Sequence, residues 1–197
     1  AVVLVAAAGG RGAADVVPAL RACWPQVPVV GVLRPGPALA RESLALARAG
    51  AHDVVVEGID DTGAALRAVL QSAARRSAAD VVLDALAPVL ADGIRPLVEW
   101  ALQRAGEPIT VADLAAVFGV HRRTLGKWLA AEGLPGPQEL LAWCRLFVAA
   151  HQLEQPGAAV EAVAHDLDFA SSNALRNALH RHARLRVADV RRPGGLR

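Results

Sequence analysis

The chain has 197 residues, of which 54% are hydrophobic, and this length and composition suit one large or two small packed domains. No apolar run approaches the ~20 residues that a membrane-spanning helix needs, so no membrane partner is expected. The formal net charge of +2 is too small to indicate a partner by itself.

Residues 1–75 alternate short β-branched runs with helical patterns, which predicts βαβ units and a parallel sheet. The predicted strands are Val2–Val5, Val29–Leu33 and Asp53–Val56. The predicted helices are Asp15–Cys23, Ala38–Ala49, which Gly50 would end, and Thr62–Ala74. The apolar start lacks the basic segment of a signal peptide. Since the chain has no methionine, we expect that Ala1 is not the native N-terminus, which leaves open whether an upstream segment is missing.

Beyond Ala78 the sequence predicts helices alone. ADVVLDALAPVLADG predicts a connecting helix broken near Pro88, and IRPLVEWALQRAG an amphipathic helix that ends at Gly106. Thr110 is placed to cap the next helix, with Asp113 three residues on as in a capping box. The later predicted helices are Val111–Phe118, Arg122–Ala131, Pro137–Leu153, Val160–Asp166, Ser172–Ala183 and Val187–Arg191. The chain thus divides into an α/β domain over 1–77, a helical linker over 78–91 and an all-α domain over 92–197.

An internal repeat links VADLAAVFGVHRRTLGKWL to VEAVAHDLDFASSNALRNAL. The matched apolar positions are Val111/Val160, Leu114/Val163, Phe118/Leu167, Val120/Phe169, Leu125/Leu175 and Leu129/Leu179. Ala115 and Ala164 match where a small side chain lets two helices cross closely. Gly119 and Asp168 match at the turn, where the backbone needs a left-handed conformation that glycine enters freely and Asp tolerates. The pattern of helix, tight turn and helix occurs twice, and it predicts two helix-turn-helix motifs, the second with one extra residue in its turn.

The second helix of such a motif enters the DNA major groove, with its N-terminal residues facing base edges. Arginine and lysine suit guanine, asparagine suits adenine, and hydroxyls and helix N-termini suit phosphates. The candidate DNA-binding residues are Arg122, Arg123, Thr124 and Lys127 in the first copy, and Ser172, Asn173, Arg176, Asn177, His180 and Arg181 in the second. The alternative is that these are solvated faces of amphipathic helices. We expect Trp128 and Trp143 to be core residues.

The segment from Ser171 to Arg197 has a local excess of positive charge. Its arginines are Arg176, Arg181, Arg184, Arg186, Arg191, Arg192 and Arg197, against Asp189 as the one acidic residue. Such a patch is typical of a protein that binds a polyanion, although a solvated tail would share it.

From Asp92 to Arg192 the sequence resembles the AraC/XylS-type DNA-binding domain, most specifically in ADLAAVFGVHRRTLGKWL and VEAVAHDLDFASSNALRNALHRHARLRVADVRR. The resemblance implies a transcription regulator that binds double-stranded DNA, with two recognition helices in adjacent major-groove segments. The base-reading positions that it implies are Arg123, Lys127, Asn173, Arg176 and Asn177.

The chain departs from this family at several positions. Gly126 occupies a position that often contacts a base, and Asn177 stands where the family usually has arginine. Arg184 and Val187 replace the customary glycine and proline. Leu175, Leu179 and Ala183 fill positions that are usually aromatic.

Val2 to Ala74 resembles the latter half of a response-regulator receiver domain, most clearly in WPQVPVVGVL and RAGAHDVVVEG. The positions of the phosphate-accepting Asp, the following hydroxyl residue and the Lys hold Ala6, Leu33 and Glu57, and none suits its role. Ala6 has no nucleophile, and Glu57 would repel a phosphoryl group. The resemblance therefore implies a receiver-like domain without phosphotransfer, used for homodimerisation or for another signal.

Two other function classes stay open at this point. The helical fold could serve as a protein-protein interaction adaptor without DNA affinity. AAAGGRGAAD suggests a nucleotide-binding enzyme, but a dinucleotide fingerprint from Gly10 would need glycine where Asp15 stands, and no Walker lysine follows. No catalytic arrangement emerges, so neither an enzyme nor a cofactor is expected.

The cysteine and histidine patterns argue against metal sites and disulfides. Cys23 and Cys144 lie far apart, outside any Cys-x-x-Cys pair, which favours free thiols in a reducing cytoplasm. His180 and His182, two apart on a helix, would point in different directions, so metal binding there is not expected.

Overall fold

The computed structural model of the chain describes residues 2–6, 12–25 and 27–192. The chain forms two compact units, residues 1–81 and 82–197. Ala1, Gly10 and Arg197, which are named above, lie outside the described residues. Among the described helices, none combines the length and the apolar character needed to cross a membrane.

The first unit contains a parallel sheet with strand order β1-β2-β3. The strands are β1 (Val3–Ala6), β2 (Val29–Leu33) and β3 (Asp53–Val56), and the helices are α1 (Ala13–Cys23), α2 (Leu39–Ala49) and α3 (Gly63–Leu86). The predicted α/β pattern is confirmed, with β1 shifted by one residue. Gly50 ends α2 as predicted, in a left-handed conformation with φ of 93°.

Side chains that alternate along the strands divide the unit into two apolar layers. Val5, Val29 and Leu33 lie in one layer with Val17 of α1 and Leu46 of α2. The other layer joins Val30, Val55 and Ala73, the last from α3. The sheet is thus covered by helices on both faces, as expected for parallel strands.

Helix α3 is longer than the sequence pattern predicts. A helix ending at Ala74 and a second helix from Ala79 were expected, but one helix continues to Leu86. Residues 64–87 contain neither glycine nor proline, so nothing interrupts the backbone hydrogen bonds until Pro88 disfavours helix in the residue before it. The boundary between the two units lies within this helix.

The second unit is helical throughout its described part. Its helices are α4 (Arg95–Gln103), α5 (Val111–Val117), α6 (Arg122–Ala131), α7 (Pro137–Glu154), α8 (Val160–Asp166), α9 (Ser172–Ala183) and α10 (Val187–Val190). Each matches a predicted helix, with ends that differ by a few residues at most. Helix α7 is buried along much of its length and packs against α4, α5, α6, α8, α9 and α10. Cys144 lies on the buried side of α7, and this burial raises the pKa of its thiol to about 12.

A buried histidine holds the first residue of β2 in place. His52 is 4% exposed, and its Nδ1 accepts a hydrogen bond of 3.0 Å from the Val29 N–H. The neutral ring therefore carries its proton on Nε2, which lies 3.6 Å from the Asp80 carboxylate of α3 and 3.2 Å from the Arg21 guanidinium of α1. Burial, and then the positive charge of Arg21, lowers the pKa of His52.

We expect acid to destabilise the first unit through His52. The unfolded chain takes up this proton as the pH falls through 6.5, whereas the folded chain takes it up only at lower pH. The free energy of unfolding should therefore fall as the pH drops below 6.5. Urea unfolding at neutral and mildly acidic pH measures this fall. His52→Asn keeps an acceptor for Val29 but does not titrate, so its pH dependence should be shallower; an unchanged dependence would rule out His52 as the cause.

Candidate nucleic-acid interface

Two helix pairs in the second unit, α5 with α6 and α8 with α9, share the same turn geometry. Gly119 and Asp168 both adopt left-handed backbone, with φ of 63° and 56°. The next residue in each pair donates its N–H to the matching alanine carbonyl, Val120 to Ala115 at 3.0 Å and Phe169 to Ala164 at 2.9 Å. The conformation predicted for both turns is confirmed.

The starts of the four helices show where the second copy has its extra residue. Helices α5 and α8 begin 49 residues apart, at Val111 and Val160, whereas α6 and α9 begin 50 residues apart, at Arg122 and Ser172. The predicted extra residue therefore lies in the second turn.

The two second helices begin with different caps. Ser171 caps α9, since its Oγ accepts the Ala174 N–H at 3.1 Å.

His121 holds the same place before α6, and its Nδ1 accepts the Arg123 N–H at 3.2 Å. The sequence did not indicate His121 as a cap, because histidine is not among the preferred capping residues. Thr110 caps α5 as predicted, with Asp113 completing the capping box. The hydrogen bonds from Thr110 hold the pKa of Asp113 below its usual range.

The inner faces of both pairs are closely packed. Leu125 and Leu129 of α6, and Leu175 and Leu179 of α9, are at most 2% exposed. The matching alanines are buried as well. Because α7 packs against all four helices, these contacts fix which face of α6 and of α9 points outward.

Alanine in place of Gly119 should lower the free energy of unfolding by about 1–2 kcal/mol, the cost of left-handed backbone for a residue with a Cβ. Steric contact is not the cause, since nothing lies within 4 Å of the added Cβ. Gly93 has similar space and no left-handed φ, so Gly93→Ala should cost nothing or stabilise slightly. Urea unfolding of both variants measures the difference; equal stabilities would contradict the assigned backbone strain.

The outward face of α6 carries the first set of candidate residues. Arg122, Arg123 and Lys127 are exposed, and Thr124 is half-buried. Arg123 and Lys127 are four apart and therefore neighbours on the helix surface. Neither makes an ion pair within the described part of the chain. These two cations are thus available to an anionic partner.

The outward face of α9 carries the second set, and here three candidates contact one another. Arg176 Nη1 donates to Ser172 Oγ and to Asn173 Oδ1, both at 3.1 Å. Ser172 is half-buried and the other two are exposed. The remaining candidates are exposed: Asn177, His180 and Arg181.

The C-terminal arginines do not form one uniform patch. Arg191 donates to the carbonyl of Ala158, which ties the end of α10 to the loop before α8. Arg192 pairs with Asp189 at 3.5 Å. Arg184 is exposed with φ of 57°, a left-handed conformation, and the AraC/XylS-type family customarily has glycine at this position. Part of the basic character therefore serves the fold.

One aromatic expectation is wrong. Trp128 was expected in the core but is 43% exposed. Leu125 and Leu129 take the inward positions, and Trp128, one residue before Leu129, is rotated by about 100° away from that face. Trp143 packs against Phe147 and the His182 ring, with centroids 5.5 and 5.7 Å apart.

The candidate degenerate phosphorylation site lies at the carboxyl ends of the three strands. Ala6 ends β1, Leu33 ends β2, and Glu57 directly follows β3. Leu33 is buried, and the Glu57 carboxylate pairs with Arg34 at 3.1 Å. Across residues 2–6, 12–25 and 27–192, no cluster of three or more His, Cys, Asp or Glu side chains could hold a metal ion.

Comparison with known proteins finds a family match for part of the second unit. Residues 114–193 match the family described as a helix-turn-helix domain. The chain is 36% identical over 83 residues to a protein of Streptomyces lividans named as an AraC-like transcription regulator, and 35% identical over 83 residues to one of Streptomyces antibioticus with the same name.

These two alignments cover 42% of this chain and 27% of each relative. The chain therefore spans about a quarter of the length of these relatives. No solved structure matches the chain. The AraC-type resemblance predicted for the C-terminal part is confirmed, while the receiver-like interpretation stays a prediction. Residues 114–193 thus match a helix-turn-helix domain family, and the chain is similar over 83 residues to AraC-like transcription regulators.

Proposed function

We propose that the chain is a non-enzymatic transcription regulator whose second unit binds specific double-stranded DNA. Helices α6 and α9 would enter adjacent segments of the major groove. One observation carries this proposal: two helix pairs with the same turn geometry each present an exposed polar face at the start of the second helix. A solvated helix face explains one such surface, but it gives no reason for the match between two.

The residue types on these faces suit different parts of DNA. Arg123 and Lys127, free of ion pairs among the described residues, would donate to guanine or to phosphate. Asn177 offers both a donor and an acceptor, as adenine requires. We assign phosphate contacts to the side chains around these base-contacting residues: Arg122, Thr124, His180 and Arg181.

The experiment that tests this proposal is a salt titration of binding to pooled duplex fragments of bacterial genomic DNA. A protein that neutralises several phosphates releases their counterions, so affinity should fall on the order of a hundredfold between about 50 and 200 mM salt. Undetectable binding, or a flat salt dependence, would contradict the proposal and favour a protein-protein adaptor on the same fold.

For the first unit we propose a regulatory or dimerising domain that is not phosphorylated. Ala6 has no nucleophilic atom, Leu33 is buried and apolar, and Glu57 brings negative charge to the same sheet edge. A phosphoryl group would therefore find neither an acceptor nor a cation from these three positions.

Treatment of the chain with acetyl phosphate should leave its intact mass unchanged. The reason is that the strand-end position expected to accept phosphate is Ala6. A phosphorylatable receiver domain treated in parallel serves as the positive control. An added phosphoryl mass mapped to residues 1–81 would overturn this part of the proposal.

A further inference from the structure

The Arg176 side chain is held in one orientation by its own helix. Its Nη1 atom donates to Ser172 Oγ and to Asn173 Oδ1, at 3.1 Å each. These acceptors lie four and three residues earlier on α9, the spacings at which helical side chains are neighbours. The guanidinium plane is thereby fixed before any ligand arrives.

Fixing Nη1 leaves a defined set of donors for a ligand. The Nε and Nη2 hydrogens lie along the opposite edge of the planar guanidinium, and that edge fits two acceptors side by side. Guanine presents such a pair, O6 and N7, in the major groove. Because the side chain is already ordered, binding costs it less conformational entropy than it would cost a free arginine.

The same contacts change what Asn173 can do. A bidentate contact to adenine uses the amide carbonyl as acceptor and the amide nitrogen as donor. In Asn173 the carbonyl oxygen already accepts from Arg176. Asn177, one turn further along, is exposed and makes no side-chain hydrogen bond within the described residues, so its amide has both groups available.

We propose that Arg176 is the guanine-reading residue of α9, and that Ser172 and Asn173 are positioning residues that orient it rather than readers of their own bases. This assignment rests on the proposed DNA-binding function. It divides the second recognition helix into one arginine reader with two supports, followed by Asn177 as an independent reader.

A double-mutant cycle on the full chain tests the assignment. The probe is the duplex most enriched from a pool with a randomised central segment, together with its single-base-pair variants. Arg176→Ala should weaken binding about 5- to 150-fold and relax the preference for one G·C pair. Asn173→Ala alone should weaken binding to a smaller extent and relax the preference for the same pair.

The decisive quantity is the coupling between the two changes. In the Arg176→Ala background, Asn173→Ala should have little further effect, because its role passes through Arg176. Asn177→Ala is the matched control: its effect should multiply with that of Arg176→Ala and fall on a different base pair. Asn173→Asp keeps an acceptor for Arg176, so it should restore the preference for the G·C pair even if overall affinity falls.

Two results would overturn the assignment while leaving DNA binding intact. One is that the effects of Asn173→Ala and Arg176→Ala on affinity multiply and that the two changes relax the preference at different base pairs. This result would make Asn173 a base-reading residue. The other is a uniform loss for Arg176→Ala across all sequences, which would make Arg176 a phosphate contact. If the unaltered chain enriches no duplex at all, the proposed function itself fails.

Discussion

Leu175→Ala is expected to lower the free energy of unfolding of the second unit by about 2–5 kcal/mol. Leu175 is fully buried in α9, and its counterpart Leu125 is fully buried in α6. Truncation removes apolar contacts on a helix that packs against both α8 and α7, and a close-packed site closes only part of the cavity. Urea unfolding followed by circular dichroism measures the loss.

Asn177→Ala is the control for this change, since it alters an exposed residue of the same helix. Its effect on stability should stay within about 0.5 kcal/mol, while its effect on DNA binding should be larger. Leu175→Ala should show the reverse order, with stability as the primary loss. A loss below about 0.5 kcal/mol for Leu175→Ala would mean that the helix pair is not packed as described.

Arg123→Ala should weaken binding to a selected site by about 1–3 kcal/mol and relax the preference at one base pair. Arg123 lies in the first turn of α6, is exposed, and pairs with no carboxylate in the described part of the chain. Fluorescence anisotropy on the site and on its single-base-pair variants measures both effects.

Arg67→Ala removes the same charge from an exposed position on α3, outside the proposed interface, and should leave affinity nearly unchanged. An equal loss of DNA affinity for both variants would mean that Arg123 contributes only through its positive charge. A loss confined to Arg123→Ala but uniform across base-pair variants would assign Arg123 to phosphate instead.

The features that could be predicted from sequence are those set by local chemistry. Gly50 and Gly119 adopt left-handed backbone because they lack a Cβ, and Asp168 does so because a short polar side chain tolerates it. Thr110 and Asp113 form the capping box that their spacing indicates. The strand pattern predicted the parallel sheet, and the internal repeat predicted the buried leucines of both helix pairs.

The features that could not be predicted depend on tertiary packing or on side-chain orientation. Arginine has no intrinsic preference for left-handed backbone, so the residue type of Arg184 did not indicate its conformation, although the family's customary glycine at this position is consistent with it. Trp128 is exposed because two leucines already fill the inward face. The hydrogen bonds of Arg176 depend on one rotamer among many, and helix spacing alone does not select it.

The central claim, that α6 and α9 together read DNA sequence, is tested most directly by selecting bound duplexes from sheared bacterial genomic DNA and sequencing them. We expect one enriched sequence with two short groups of preferred base pairs, separated by about one helical turn, as two recognition helices on one face of the duplex require. Lys127→Ala should change preferences in one group alone, and Asn177→Ala in the other. Recovered sequences with the same composition as the input, or a single group altered by both variants, would contradict the account.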